Sequence, residues 1–204
     1  MKKSMTILYK VHNNLYINLT NRCSSACTFC LRQTRDHMED SDSLWLEHEP
    51  SVEEVKEAFS HVDVSAFDEI VFCGFGEPTE RFDTLIEVAR FIKENYNKPI
   101  RINTNGQGDL INNRRIAPDM KGLIDTISIS LNTPTADKYH AIVRSQFGDK
   151  AFDAMLAFAK DAKDYVPSVI LSTVDTTLTK EEEAECQAIC DRLGVTYRIR
   201  PWED

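Results

Sequence analysis

Residues 69–79 read Glu-Ile-Val-Phe-Cys-Gly-Phe-Gly-Glu-Pro-Thr. Glu69 to Cys73 is a short apolar run, the kind found in buried parallel strands. Gly74 to Thr79 closes it with a tight loop. Beyond the loop, Phe82, Leu85, Ile86, Ala89 and Ile92 recur at helical spacing and would bury one face. Strand, loop and amphipathic helix form one unit, and the rest of the chain repeats it.

Upstream, Thr6–Val11 and Leu15–Thr20 are extended runs around His12-Asn13-Asn14, a hairpin signal because Asn tolerates turn geometry. Arg32 to Glu49 is a long polar, acidic connector, readable as a lid or binding segment or as a solvated surface loop. Ser51-Val-Glu-Glu54 is a capping box, followed by Val52, Val55, Phe59 and Val62 at helical spacing. Downstream, Ile100–Thr104 is a strand ending in the Asn105-Gly106 turn, and an irregular piece surrounds Pro118. Thr126–Leu131 is the next strand. Thr133-Pro134 reads as an N-cap with proline at the first helical position. A helix over Lys150–Asp164, a strand over Ser168–Thr173, a second capping box at Thr179–Glu182 with its helix ending at Gly194, and a strand over Thr196–Arg200 complete the chain.

Strand and helix alternate about six times, which calls for parallel strands joined by right-handed crossovers. Six units are too few to close an eight-stranded barrel. The expected fold is therefore α/β, a partial (β/α)6 TIM-like barrel open on one side with an N-terminal β-hairpin extension. A doubly wound open sheet is the alternative. At 204 residues, a single domain over residues 1–204 is expected. A formal net charge of -9 argues against a broad nucleic-acid surface, which needs a surplus of Lys and Arg. The apolar runs are too short to span a bilayer, and no signal peptide opens the chain, so a cytoplasmic protein with reduced thiols is expected.

Asn21 to Leu31 places Cys23, Cys27 and Cys30 in a C-x3-C-x2-C spacing. Three thiolates within eight residues can wrap one iron–sulfur cube, and a full ligand set would need four cysteines. Three leave one iron open to a ligand. A zinc site would need a fourth nitrogen or sulfur, for which His37 is the best local substitute. Cys186, Ile189, Cys190 and Leu193 instead fall on one helical stripe, where free cysteine packs as a small hydrophobe. Cys73 ends its strand near the expected site and is either a core thiol or a ligand contact.

In parallel α/β folds the active site gathers at the C-terminal ends of the strands. The cysteine loop, Gly74–Thr79 and Thr104-Asn105-Gly106 all fall on that rim. Several strands also alternate: Ser128, Ser130 and Asn132 oppose Ile127, Ile129 and Leu131, and Arg101, Asn103 and Asn105 oppose Ile100 and Ile102. Tyr197 and Ile199 likewise oppose Arg198 and Arg200. Unpaired polar groups in a dry core would cost roughly 1–3 kcal/mol each, so the concave face should be wet or filled by a polar ligand. Asn18, Asn103, Arg198 and Arg200 are the candidate substrate-facing groups. The arginines suit a carboxylate or phosphate, or alternatively salt bridges to the many acidic residues.

With C-x3-C-x-Phe-Cys after a first strand and Gly-Phe-Gly-Glu-Pro after a second, the chain resembles the radical S-adenosylmethionine (SAM) superfamily. The Tyr16–Cys23 and Leu44–Pro50 segments resemble the small members named for association with TatD-family nucleases. The resemblance implies that Cys23, Cys27 and Cys30 hold a [4Fe-4S] cluster whose open iron is chelated by SAM. It implies that Phe29 lies by the adenine and that Gly74, Phe75, Gly76 and Glu77 border the methionyl amine. The family pattern often has adjacent glycines where this chain has Phe75 between two. Thr104 and Asn105 join the cofactor-binding set, with Ser128, Ser130 and Asn132 at the ribose or carboxylate and Arg144 at the carboxylate. An external flavodoxin- or ferredoxin-like protein would supply one electron. SAM would then yield a 5′-deoxyadenosyl radical that abstracts hydrogen from a small-molecule or peptide/protein substrate. The competing classes are an iron–sulfur electron-transfer or sensing module and a zinc-binding structural domain.

Overall fold

The computed structural model describes residues 2–202. Seven strands form one sheet in the order in which they occur along the chain. They are β1 (Leu8–Val11), β2 (Asn14–Ile17), β3 (Glu69–Phe72), β4 (Ile100–Thr104), β5 (Thr126–Ser130), β6 (Ser168–Val174) and β7 (Thr196–Arg200). β1 pairs antiparallel with β2, and every later pairing is parallel. A doubly wound sheet reverses its strand order at a switch point. No reversal occurs here, so the sheet is the wall of an open partial barrel, and the hairpin β1–β2 extends its first edge.

The helices α1 (Val52–Ser60), α2 (Phe82–Asn95), α3 (Gly108–Asn112), α4 (Ala136–Val143), α5 (Lys150–Ala162) and α6 (Lys180–Leu193) lie in the crossovers. Both capping boxes form, at Ser51 with Glu54 and at Thr179 with Glu182. Alternation along each strand sends one set of side chains to the helices. Ile17, Ile70, Phe72, Ile102, Ile129 and Leu171 join Phe59, Leu85, Phe158 and other helical residues in one continuous core. Cys186 and Cys190 are fully buried there, so they pack as hydrophobes.

Three local expectations change. The left-handed position of the hairpin turn is taken by His12 (φ 52°). Pro134 is not the first helical residue. Asn132 adopts φ 66° and Thr133 N–H bonds back to the Leu131 carbonyl, so the chain turns once before α4 starts at Ala136. The long connector is neither a lid nor a solvated loop at its centre. Leu44 and Leu46 are buried, Trp45 packs edge-on against Phe75 at 5.3 Å, and the Asn21 side chain brackets the Leu46 backbone with bonds of 2.8 and 2.9 Å. This strap covers the start of the cysteine segment.

Candidate active site

The cysteine segment leaves β2 and crosses the rim formed by the C-terminal ends of the strands. Its backbone is docked on both sides. Ala26 N–H bonds the Val143 carbonyl at 3.1 Å and Thr28 N–H the Ile142 carbonyl at 2.9 Å, at the end of α4. Gln146 N–H bonds the Ser24 carbonyl at 2.8 Å, and on the other side Glu77 N–H bonds the Arg22 carbonyl at 2.8 Å. Cys23, Cys27 and Cys30 are free thiols, each half-buried. Burial pushes the Cys23 thiol up to about 11, with Glu77 adding to the effect. Burial together with the neighbouring Cys23 and Cys30 pushes Cys27 up to about 12. The Arg32 guanidinium opposes both rises and spans the two loops, donating to the Ser25 and Phe75 carbonyls at 3.3 and 3.5 Å.

Gly76 lets the glycine loop touch the cysteine segment backbone to backbone. A Cβ there would lie 2.2 Å from the Thr20 carbonyl oxygen and 2.6 Å from that of Arg22. Gly74 similarly faces the Asn18 side chain, whose Oδ1 is buried without a hydrogen-bond partner. Glu77, buried, accepts from Thr79 N–H, the Thr79 and Thr104 hydroxyls, and Asn105 N–H at 2.7 to 3.1 Å. Burial raises its pKa, while these four donors favour the carboxylate. Glu77 therefore latches the loop after β3 to the end of β4. Beside it, Asn105 Nδ2 donates to Ser24 Oγ at 2.9 Å and lies 4.0 Å from Cys23 Sγ.

Beneath the cysteine segment sits Gln107, fully buried. Its Oε1 accepts from the Ser24 and Ser145 hydroxyls at 2.9 and 2.7 Å. Its Nε2 donates to Ser25 Oγ at 3.2 Å and to Tyr139 OH at 3.1 Å. One amide thus ties the cysteine segment to α4 and to the loop that follows it. Neither Gln107 nor Tyr139, Ser145 or Arg32 was singled out from the sequence; the only signal was that Gln107 closely follows a rim turn. Gln107→Leu strands several buried hydroxyls, each worth about 1–3 kcal/mol if left unpaired. An expected loss of about 3 kcal/mol in urea unfolding checks this; a change below about 0.5 kcal/mol would show the network to be idle.

The model of the Radical SAM superfamily matches residues 17–196. The chain belongs to the radical SAM superfamily. It is an enzyme of that superfamily, whose chemistry uses an iron–sulfur cluster and SAM. A Methanocaldococcus jannaschii protein named as a candidate glycyl-radical enzyme activating enzyme is 32% identical over 127 residues, covering 60% of this chain and 44% of its own length. Molybdenum cofactor biosynthesis protein 1 of Dictyostelium discoideum is 30% identical over 146 residues, covering 71% of this chain and 21% of that protein. The chain thus spans less than half of either relative. Streptococcus suis SuiB bound to S-adenosylmethionine superposes with a TM-score of 0.69 at 17% identity, over 94% of this chain and 41% of SuiB. The open partial barrel is the fold of such radical SAM structures.

The radical SAM cofactors fit the donor set. Three free cysteines share one loop, while Cys73 directly follows β3 and Cys186 and Cys190 lie in the core. Among the described residues, no three of His, Cys, Asp and Glu converge as they would on a single ion. His37, the candidate zinc ligand, is exposed and contacts Asp36 at 2.7 Å. Around the trio, Phe29 stands 41% exposed beside Cys30, while Ser128 and Asn132 are buried at the rim of β5 and Ser130 is half-buried. Thr133 Oγ1 is buried there without a partner. Arg144 is exposed at φ 49°, and its carbonyl receives Ala26 N–H. Thr104 turns to Glu77. Lower on the concave face, Asn103 contacts the Cys73 thiol and Arg101 pairs with Glu69 at 2.9 Å. The Asn18 amide group donates to the Leu44 and Thr6 carbonyls at 2.8 and 3.3 Å, anchoring the strap.

Proposed function

We propose that Cys23, Cys27 and Cys30 hold a [4Fe-4S] cluster with one open iron, and that the chain abstracts hydrogen from a substrate in its polar concavity. The observation that supports this reading is one rim loop carrying three free cysteines in backbone contact with the Gly74–Thr79 loop. When bound, the cluster and SAM supply reductive carbon–sulfur cleavage and a 5′-deoxyadenosyl radical, with the electron coming from a flavodoxin- or ferredoxin-like donor.

The chain's own residues position these groups. The backbone of Gly74, Phe75, Gly76 and Glu77 borders the methionyl amine, because the Phe75 ring is turned away onto Trp45. Phe29 would lie by the adenine. Ser128, Ser130 and Asn132 would hold the ribose or carboxylate, with Arg144 at the carboxylate. Thr104 and Asn105 act through Glu77 and Ser24, holding the two loops in register. Tight docking of the loops excludes water from the reacting atoms. We read residues 1–204 as one core domain of the small TatD-associated type, working in the cytosol. No helix among the described residues is long and apolar enough to cross a membrane. Its substrate is a small molecule or a peptide/protein: one relative is named for activating a glycyl-radical enzyme and the other for a cofactor pathway.

Anaerobic reconstitution with iron and sulfide, followed by dithionite and SAM, tests the reading. The expected product is 5′-deoxyadenosine. A cluster that cycles between redox states without forming it supports the electron-transfer alternative, and tight zinc without iron uptake supports a structural zinc domain.

A further inference from the structure

The stretch Asn21–Arg35 holds three arginines and neither Asp nor Glu, within a chain whose net charge is -9. Two of the three are engaged elsewhere. Arg22 pairs with Glu49 at 2.7 Å and with Glu80 at 3.4 Å. Arg35 turns its Nη1 to Met38 Sδ at 3.8 Å. Arg32, two residues beyond Cys30, enters no ion pair among the described residues, so no carboxylate in contact cancels its charge.

What holds Arg32 is a pair of neutral carbonyls. Its Nη2 donates to Ser25 in the cysteine segment at 3.3 Å, and its Nη1 donates to Phe75 in the glycine loop at 3.5 Å. Carbonyl acceptors orient a guanidinium without neutralising it, and arginine keeps its charge at every working pH. Arg32 is half-buried, so salt screens it less than an exposed charge. Its charge acts on Cys23 and Cys27 alike, and the Ser25 N–H meets Cys23 from the same short segment. A full positive charge is thus fixed between the two loops, beside the thiols assigned to the cluster.

We infer that Arg32 sets the reduction potential of the cluster, its guanidinium offsetting the negative charge gained on reduction. The inference rests on the cluster reading proposed above and deepens it. One-electron reduction adds one negative charge beside three thiolates. The electron comes from the external donor, no bond breaks and no proton is taken up. Net charge and contacts around the ligands are what tune iron–sulfur potentials, and a fixed cation favours the more negative state. At an effective dielectric of about 20, a unit charge about 10 Å away biases such an equilibrium about tenfold or more. For one electron, tenfold is about 59 mV. Arg32 thus lets a weaker reductant deliver the electron.

Redox titration of the reconstituted full chain without SAM, followed by electron paramagnetic resonance of the reduced cluster, tests it. Arg32→Gln should lower the midpoint, so that the reduced fraction at a fixed potential falls about tenfold, or about 59 mV. Arg32→Lys keeps the charge and should stay within about threefold of the parent. Arg35→Gln, at the side chain that turns to Met38, should do the same. A parental midpoint in Arg32→Gln, or an equal drop in Arg32→Lys or Arg35→Gln, would overturn the proposal. Should Arg32→Gln take up no iron, the lysine variant decides. Loading at the parental potential assigns the role to the charge, whereas failure to load or a lowered potential marks a structural brace and overturns it. A parent chain that takes up no cluster fails the cluster reading and this inference together. A parent whose cluster cycles at a potential indifferent to Arg32 fails this inference alone.

Discussion

Cys27→Ser is expected to abolish cluster uptake and SAM cleavage, lowering 5′-deoxyadenosine formation by about three orders of magnitude, or about 4 kcal/mol in the barrier. The reason is the ligand count. Three cysteines stand on the rim loop, and a cube held by two protein ligands would lose the rigidity that keeps one iron open for SAM. The Cys27 thiol pKa is also raised by burial and by both of its neighbours. Iron and sulfide analysis after anaerobic reconstitution checks the first part, and chromatography of the SAM products the second. Cys186→Ala gives the contrast. It should keep full iron content while losing about 1–2 kcal/mol of stability, because its thiol fills core space beside Ile189 and Cys190 and contacts the Tyr197 hydroxyl. Full cleavage activity in Cys27→Ser would sink the three-thiol site.

Gly76→Ala is expected to cost about 3 kcal/mol or more and to lower cluster content with it. The added methyl meets carbonyl oxygens of Thr20 and Arg22 at 2.2 and 2.6 Å, and both are backbone atoms that cannot rotate aside. Relief requires the glycine loop to lift from the cysteine segment. That movement breaks the Glu77 N–H bond to Arg22 and strains the bonds from Thr104 and Asn105 to the Glu77 carboxylate. Urea unfolding measures the first effect, and iron per chain in the folded fraction measures the second. Gly122→Ala is the comparison. No atom lies within 4 Å of a Cβ there, so only its positive φ of 75° is penalised and cluster content should not change. Parental stability in Gly76→Ala would show that the two loops are not locked together.

The elements were largely legible because their signals are local. Capping boxes at Ser51 and Thr179 formed as read, since cap and third residue lie in the same turn. Alternation in β4, β5 and β7 revealed a polar inner face, since successive residues of a strand point oppositely. Pro134 misled because Asn132 took a left-handed conformation that inserted a turn before the helix. The connector over residues 32–49 looked polar and loose, yet two of its leucines are buried. Leu44 and Leu46 are too short a signal to stand out from the charge around them.

By itself, the amino-acid sequence determined which segments are strands or helices and nominated the side chains proposed for the chemistry. Thiolate spacing, hydrophobic periodicity and capping are properties of neighbours along the chain. Only the tertiary structure decided how the rim is braced. Gln107 meets Ser24 across 83 positions of sequence and Glu77 meets Thr104 across 27. Such pairings leave no periodic trace, because what selects them is the distance between elements after the sheet has curved.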